Sequence, residues 1–337
     1  MLTLIVPGLI WTRQALADLT CDLPLPAFTT LLGRGRLNQR PARDSTALLA
    51  ESTGLAAPLP AAALRWLAQR DHPGPDEHCD WLCLDPVRLN FHDRSLIVDD
   101  PQHLRLGSDE AAALAAALAP TLAALGRIEV IAPGRWNLRL SAAAPPFQAL
   151  PDAAGRSASP LPPGPAYAPW RQALNEAQMI LHVHPVNQAR QAAGQPVVNS
   201  LWPWGGGRLP ELAAPTTTHD AIWSDDPVAR GIARLLQIDG AALPAGYSVT
   251  AAHAPLALID GLKHPASSGD AIVWRDELIR FEAEWLAPAL GALRTGRLDA
   301  LRLIAPGDLA AAELLVRRRD LWKFWRKPRS LAELVPQ

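Results

Sequence analysis

Residues Pro196-Val197-Val198-Asn199-Ser200-Leu201-Trp202-Pro203-Trp204-Gly205-Gly206-Gly207-Arg208-Leu209-Pro210 set an apolar, aromatic run against three consecutive glycines. Val197 to Trp204 is β-branched and aromatic enough for a buried strand. The glycines would let the chain turn sharply and leave backbone N–H groups uncovered for a ligand. In open α/β sheets, ligands bind outside the carboxyl ends of strands, where such a loop would lie. No Lys-Ser/Thr follows at P-loop spacing, and the glycines lack the dinucleotide fingerprint. The plainer alternative is a tight turn with core tryptophans.

Working upstream, His184-Pro185-Val186-Asn187-x-x-Arg190-x-x-x-Gly194 leads into that stretch. The pair of motifs resembles the archaeal-type cofactor-independent phosphoglycerate mutases of the alkaline phosphatase superfamily. Their N-x-x-W-x-W-G-x-G signature is matched by Asn199, Trp202, Trp204, Gly205 and Gly207, after an H-P-x-N-x-x-R-x-x-x-G run. Arg88-Leu89-Asn90-Phe91 resembles the R-x-N-F strand of the mutases' inserted domain. Taken whole, the chain is most similar to a bacterial offshoot of that family, the RpfE-type regulatory proteins. The resemblance implies an α/β, alkaline-phosphatase-like fold, a mostly parallel sheet with helices on both faces interrupted by a small α+β domain. The core is expected from residues 1–75 and 165–337, and the inserted domain with a Pro-rich linker from 76–164.

Local patterns agree with alternating strands and helices. Leu2 to Val6 is continuously apolar, as in a parallel strand covered on both faces. Pro26 to Gly35 and Ser45 to Gly54 read as helices with a loop between them, each closed by a glycine. Trp81–Phe91 and Ser95–Val98 read as a strand pair around a His92-Asp93-Arg94 turn. Ser108 is a candidate N-cap for a helix running to Leu125, followed by strands at Arg127–Ala132 and Arg135–Leu140. Residues 142–169 read as an irregular linker, and Trp170–His182 as a helix. Ala254–Asp260 and Leu301–Ile304 are short buried strands, expected to flank Leu2–Val6 in one sheet. Asp270 to Leu293 is a long helix with Ile272, Ile279, Leu286 and Leu293 on one face, kinked by Pro288.

In the mutases that this chain resembles, two divalent metals activate a Ser or Thr nucleophile and stabilise the transferred phosphoryl group. The resemblance places Ser45 at the nucleophile position, with Pro26, Leu31 and Gly35 in the preceding helix frame. It places Pro7-Gly8 where the family has Asp-Gly, and proline has no side-chain donor atom for a metal. Asp260-Gly261-Leu262-Lys263-His264 has the family's Asp-x-x-x-His spacing, and Gly307-Asp308-Leu309 keeps a carboxylate where an Asp-His pair is expected. Asp260, His264 and Asp308 are thus remnant candidates for metal ligands, with no bound metal or other cofactor expected. The expectation is a non-catalytic, degenerate mutase-like protein with a regulatory or binding role. Ser45 then reads as a helix N-cap. The alternative is an active phosphotransferase with a reduced site, using manganese or zinc. Candidate ligand-binding residues are Asn199, Trp202, Trp204, Gly205, Gly206, Gly207, Arg208, Arg88 and Asn90, at a cleft between core and insert, with a phosphorylated metabolite or a protein as partner.

Composition narrows the remaining classes. The 337 residues are 49% hydrophobic and 19% charged with a net charge of −1, so bulk electrostatics give no pull toward nucleic acid or acidic lipid. Cys21, Cys79 and Cys83 are sparse, which fits a reducing, cytoplasmic setting. His78, Cys79, Cys83 and His92 have poor zinc-site geometry if they lie on a strand. His182 and His184 read as capping or packing residues at a helix end. Met1 to Trp11 lacks a basic n-region, and no apolar run is long enough to span a membrane. The tail Arg317 to Arg329 mixes seven basic residues with Trp322, Phe324 and Trp325. It is read as an edge strand with aromatics docked on the core and arginines in water. A nucleic-acid-binding regulator acting through this tail is the third reading, with no specific nucleic acid and no membrane as partner expected.

Overall fold

The computed structural model describes residues 1–70, 78–92, 95–99, 101–155, 161–212, 217–249 and 252–335. In chain order its strands are β1 (Leu2–Ile5), β2 (Arg36–Arg43), β3 (Trp81–Val87), β4 (Leu89–His92), β5 (Ser95–Val98), β6 (Gly126–Ala132) and β7 (Arg135–Leu140). Then come β8 (Ser200–Gly207), β9 (Ala221–Trp223), β10 (Asp239–Ala241), β11 (Pro255–Leu258), β12 (Ala300–Ala305) and β13 (Gly307–Arg317). The helices are α1 (Arg13–Thr20), α2 (Pro26–Arg34), α3 (Ser45–Thr53), α4 (Ala61–Ala68), α5 (Ser108–Leu122) and the single turn α6 (Leu150–Ala153). They are followed by α7 (Ala168–Val183), α8 (Pro185–Ala192), α9 (Pro227–Leu235), α10 (Lys263–Ser268), α11 (Ala271–Phe281) and α12 (Ala287–Thr295). Contacts gather them into two compact units, Met1–Ala57 with Ala214–Gln337, and Pro58–Ala213.

The first unit is built on a seven-stranded sheet in the order β10-β9-β11-β1-β12-β13-β2. The five strands from β10 to β12 are parallel, and β13 and β2 add antiparallel pairs at one side. β1 lies between β11 and β12, with Leu4 opposite Ala257 on one side and Leu303 on the other. That adjacency is the one expected from three apolar runs far apart in sequence. Leu2, Leu4 and Ile5 have no solvent exposure, as a central parallel strand requires. Phe28 and Leu31 of α2, Trp274 and Leu278 of α11 and Leu290 of α12 share one apolar cluster with Leu2 and Leu4. The mostly parallel, helix-flanked α/β architecture expected of an alkaline-phosphatase-like core is present.

Several elements differ from the sequence reading. Residues 36–43 form edge strand β2 rather than a loop, because β13 supplies the backbone partners that their polar side chains do not advertise. Its Pro41 is tolerated at an edge. The N-cap of α3 is Asp44, whose carboxylate accepts from the Ala47 N–H at 2.7 Å, leaving Ser45 at the first helical position. Likewise Gly107, not Ser108, precedes α5, and its N–H donates to Glu110. The helix expected over 270–293 is interrupted by a π turn at Glu282–Leu286. Pro288 lacks the N–H that would reach the Glu284 carbonyl, and that oxygen accepts instead from the Tyr247 N–H at 2.8 Å. Ile272 is 75% exposed, and the buried face runs through Trp274, Leu278, Phe281 and Trp285.

The second unit holds an antiparallel sheet in the order β6-β7-β3-β8, with β4 and β5 as a separate hairpin. Asp93 and Arg94, part of the turn expected from the sequence, lie outside the described residues. Leu82 and Leu84 of β3, Leu114 and Leu118 of α5, Trp136 of β7, Leu174 of α7 and Leu201 of β8 share its core. The unit spans 58–213 rather than 76–164 because β8 pairs with β3 and α4 packs on both. The stretch 142–169 is not simply a linker. It contains α6, and Phe147 meets the rings of Tyr167 and Trp170 edge-on.

Candidate functional site

At the carboxyl edge of the first unit's parallel strands, the chain after β1 reads Val6-Pro7-Gly8. Val6 and Pro7 are buried, and Gly8 turns the chain at φ +80°. The Gly8 carbonyl accepts from the Trp274 indole N–H at 2.8 Å. A β-carbon at Gly8 would lie 2.3 Å from the Leu262 carbonyl oxygen, so this turn is seated directly on the chain that follows Asp260. Gly8→Ala should therefore lower stability by about 2–3 kcal/mol. An unchanged urea midpoint would show that the Leu262 backbone yields.

Beyond β9 the chain reads Ser224-Asp225-Asp226, residues that the sequence reading did not single out. Asp226 caps α9 through the Val228 and Ala229 N–H groups, and Asp225 accepts from Leu243 N–H. The signal was legible, since Asp-Pro ahead of an amphipathic run is a helix start. Asp260 follows β11. The protein packed around its carboxyl raises the pKa, and the nearby Asp226 and Asp225 charges raise it further against Lys263. Its side chain still reaches solvent, which limits the effect. His264 is half-buried in α10, one helical turn beyond Asp260 in sequence. Asp308 is the second residue of β13, and its side chain lies outside what is described. Ser45 is half-buried at the start of α3.

Pro7 offers no side-chain ligand atom, and the Asp226 and Asp225 carboxylates each accept backbone N–H bonds at one oxygen. Among the described residues, no group of three or more His, Cys, Asp or Glu side chains is placed to hold a metal ion. Cys83 is buried in β3 and Cys79 lies just before it, with no pairing into a disulfide.

The signature residues lie in the second unit, where they are occupied structurally. Gly205–Gly207 lie within β8 rather than in a separate loop. A β-carbon at Gly205 would lie 2.7 Å from that of Ala61, so the missing side chain lets α4 approach the strand. Trp202 and Trp204 are interior, with indole N–H groups donating to the Gln148 carbonyl and the Asp85 carboxylate, both at 2.9 Å. Asp85 also accepts from the Trp136 N–H and forms a buried ion pair with Arg65, whose guanidinium lies 4.6 Å from the centre of the Trp204 ring. Asn199 imitates a strand partner, accepting from Leu89 N–H and donating to Leu89 C=O. Upstream, His184 Nδ1 accepts from Val186 N–H, and Asn187 ties Leu181 to Val198. Arg190 donates to the Pro196 and Leu104 carbonyls and to Glu110. Arg88 and Asn90 bond each other, and Asp99 engages both. Arg208 remains exposed, paired with Asp80 at 2.9 Å. A shallow recess between α5 and strands β6 and β7, lined by Arg127, Ile128 and Arg139, includes none of these residues.

No family model matches the chain, and no curated protein matches it. Among solved structures it is similar to the cofactor-independent phosphoglycerate mutase from Thermoplasma acidophilum DSM 1728, with 18% identity and a TM-score of 0.49 over 100% of this chain and 95% of that one. It is also similar to the PH0037 protein from Pyrococcus horikoshii, with 14% identity and a TM-score of 0.54 over 98% of this chain and 91% of that one. The second likeness shows a common fold, and at that identity the fold alone.

Proposed function

We propose that this chain is a phosphoglycerate-mutase-like protein that has lost metal-dependent phosphotransfer and acts by binding, in a regulatory role of the RpfE type. The observation that carries the reading is the corner after β1. There a buried proline occupies the position where the resemblance requires a metal-binding aspartate, and Gly8 is packed against the Leu262 backbone. In the related mutases the metals activate the nucleophile. A serine at the Ser45 position without them keeps a pKa far too high for attack.

Incubation of the full chain with 2- or 3-phosphoglycerate, with manganese, zinc or cobalt added, should give no interconversion above background. Metal-dependent turnover abolished by Ser45→Ala would falsify this reading and favour an active site drawn from Ser45, Asp260, His264 and Asp308. The burial of Trp202 and Trp204 supports a structural role for most of the signature. Arg208 is then the signature-adjacent residue with a solvent-facing cation for a phosphorylated metabolite. A phosphometabolite that raises the melting temperature of the wild type but not of Arg208→Ala would identify a small-molecule partner. No shift across a metabolite panel would leave a protein partner.

A further inference from the structure

The expectation that the tail aromatics dock on the core is overturned. Trp322, Phe324 and Trp325 are 76%, 78% and 69% exposed, side by side in one short loop. β13 ends at Arg317, and a 3-10 turn over Arg318–Trp322 redirects the chain. The loop is held at both ends. Arg34 of α2 donates to the Leu321 carbonyl at 2.7 Å, and Arg329 N–H donates to the Thr29 carbonyl at 3.1 Å. Between them the Lys327 backbone presses on Gly33, where a β-carbon would lie 2.4 Å from its carbonyl oxygen. Internal bonds from Phe324 N–H to Trp322 C=O and from Arg326 N–H to Lys323 C=O tighten the turn. Beyond it Leu331, Ala332 and Leu334 are buried, so this is a loop pinned to the protein and not a fraying end.

Charge is concentrated on the same loop. Arg317–Arg329 carries seven of the chain's 32 Lys and Arg residues and one of its 33 Asp and Glu residues, so the remainder has a clear negative excess. Lys323 pairs with Asp320 and Arg329 with Glu333, while Arg326 and Lys327 face solvent beside the aromatics. Exposed tryptophan and phenylalanine among cations is the composition that settles at the headgroup level of a bilayer, rings at the acyl boundary and cations on anionic phosphates.

We propose that this pinned loop binds the surface of anionic phospholipid membranes peripherally, independently of whether phosphotransfer is lost. Among the described residues no helix is long and apolar enough to cross a membrane, so the contact is at the surface. Single-stranded nucleic acid fits less well. Base-stacking platforms present open ring faces along a cationic groove. Here Phe324 and Trp325 meet edge to face at 80° with centroids 5.4 Å apart, so their ring faces do not align into one continuous stacking platform.

The test is co-sedimentation of the full chain with vesicles of phosphatidylcholine alone and of phosphatidylcholine mixed with phosphatidylglycerol. Partition should be roughly tenfold or more stronger on the anionic vesicles and should fall as salt is raised. The triple variant W322S/F324S/W325S and the double variant R326Q/K327Q should each lose most of it. Both should keep the wild-type melting temperature, since these side chains are already in water. Absence of partition on anionic vesicles at low salt overturns the proposal, as does undiminished partition of the triple variant. Oligonucleotide binding that disappears in the triple variant, without vesicle binding, assigns the loop to nucleic acid instead.

Discussion

Asp85→Ala is expected to cost about 4 kcal/mol of stability, the largest single effect in the molecule. One carboxylate, 1% exposed, accepts from the Arg65 guanidinium at 2.8 and 2.9 Å, from the Trp136 backbone N–H at 3.0 Å and from the Trp204 indole N–H at 2.9 Å. Removing it takes the carboxylate away from an interior guanidinium charge and leaves two N–H donors without this acceptor, each worth about 1–3 kcal/mol when unsatisfied. These penalties overlap and do not simply add. Exchanging both ionic partners for apolar side chains, as in R65M/D85M, should cost much less, because no buried charge is left behind. Urea unfolding followed by tryptophan fluorescence measures both variants. A loss below about 1 kcal/mol for Asp85→Ala would mean that water or a neighbour readily replaces the carboxylate.

Glu282→Ala should cost about 3 kcal/mol. The carboxylate lies on the π turn, is buried, and accepts from Ala27 N–H at 2.6 Å and Phe28 N–H at 2.9 Å. Those are orphan donors of the first turn of α2, whose own preceding residue, Leu25, supplies no side-chain cap. Burial pushes the Glu282 carboxyl above its ordinary value of 4.5, and the two N–H groups offset only part of that rise. A raised folded-state pKa means that the native state holds the proton more tightly than the unfolded chain. The titration-linked stability is fully present below pH 4.5 and is lost as pH rises through the folded value. The melting-temperature gap between wild type and Glu282→Ala should therefore narrow on going from pH 4.5 toward neutrality. A gap that widens over that range would show that the carboxylate is preferred in the fold.

Much of the parallel core was legible because its strands are short, continuously apolar runs. Leu2–Val6, Ala254–Asp260 and Leu301–Ile304 needed only the expectation that buried parallel strands lie side by side. Long-range antiparallel pairing left weaker marks. β2 reads Arg-Leu-Asn-Gln-Arg-Pro-Ala-Arg and earns its strand geometry from β13, more than 260 residues away. β8 was legible as a strand, but its partner was not, since a buried aromatic run looks alike in either sheet. The Ile272–Ile279 stripe misled because counting by sevens assumes an unbroken α-helix, and the π turn shifts the register before Leu286. The candidate site was legible mainly as departures from the mutase pattern. Pro7 is visible in sequence, whereas its packing is not. The tail misled for the opposite reason, since aromatic residues are usually interior and only coordinates reveal three that are not.

The order of the strands also sets an order of events during synthesis. β1 is made well before its neighbours β11 and β12, which come only at residues 255–258 and 300–305. The second unit, Pro58–Ala213, is by then wholly translated and has its own core. It can fold while Leu2–Ile5 waits, an apolar strand with both edges unpaired. A strand fully buried in the folded sheet is thus exposed until β11 and β12 are made, and its late insertion between them is a step open to aggregation.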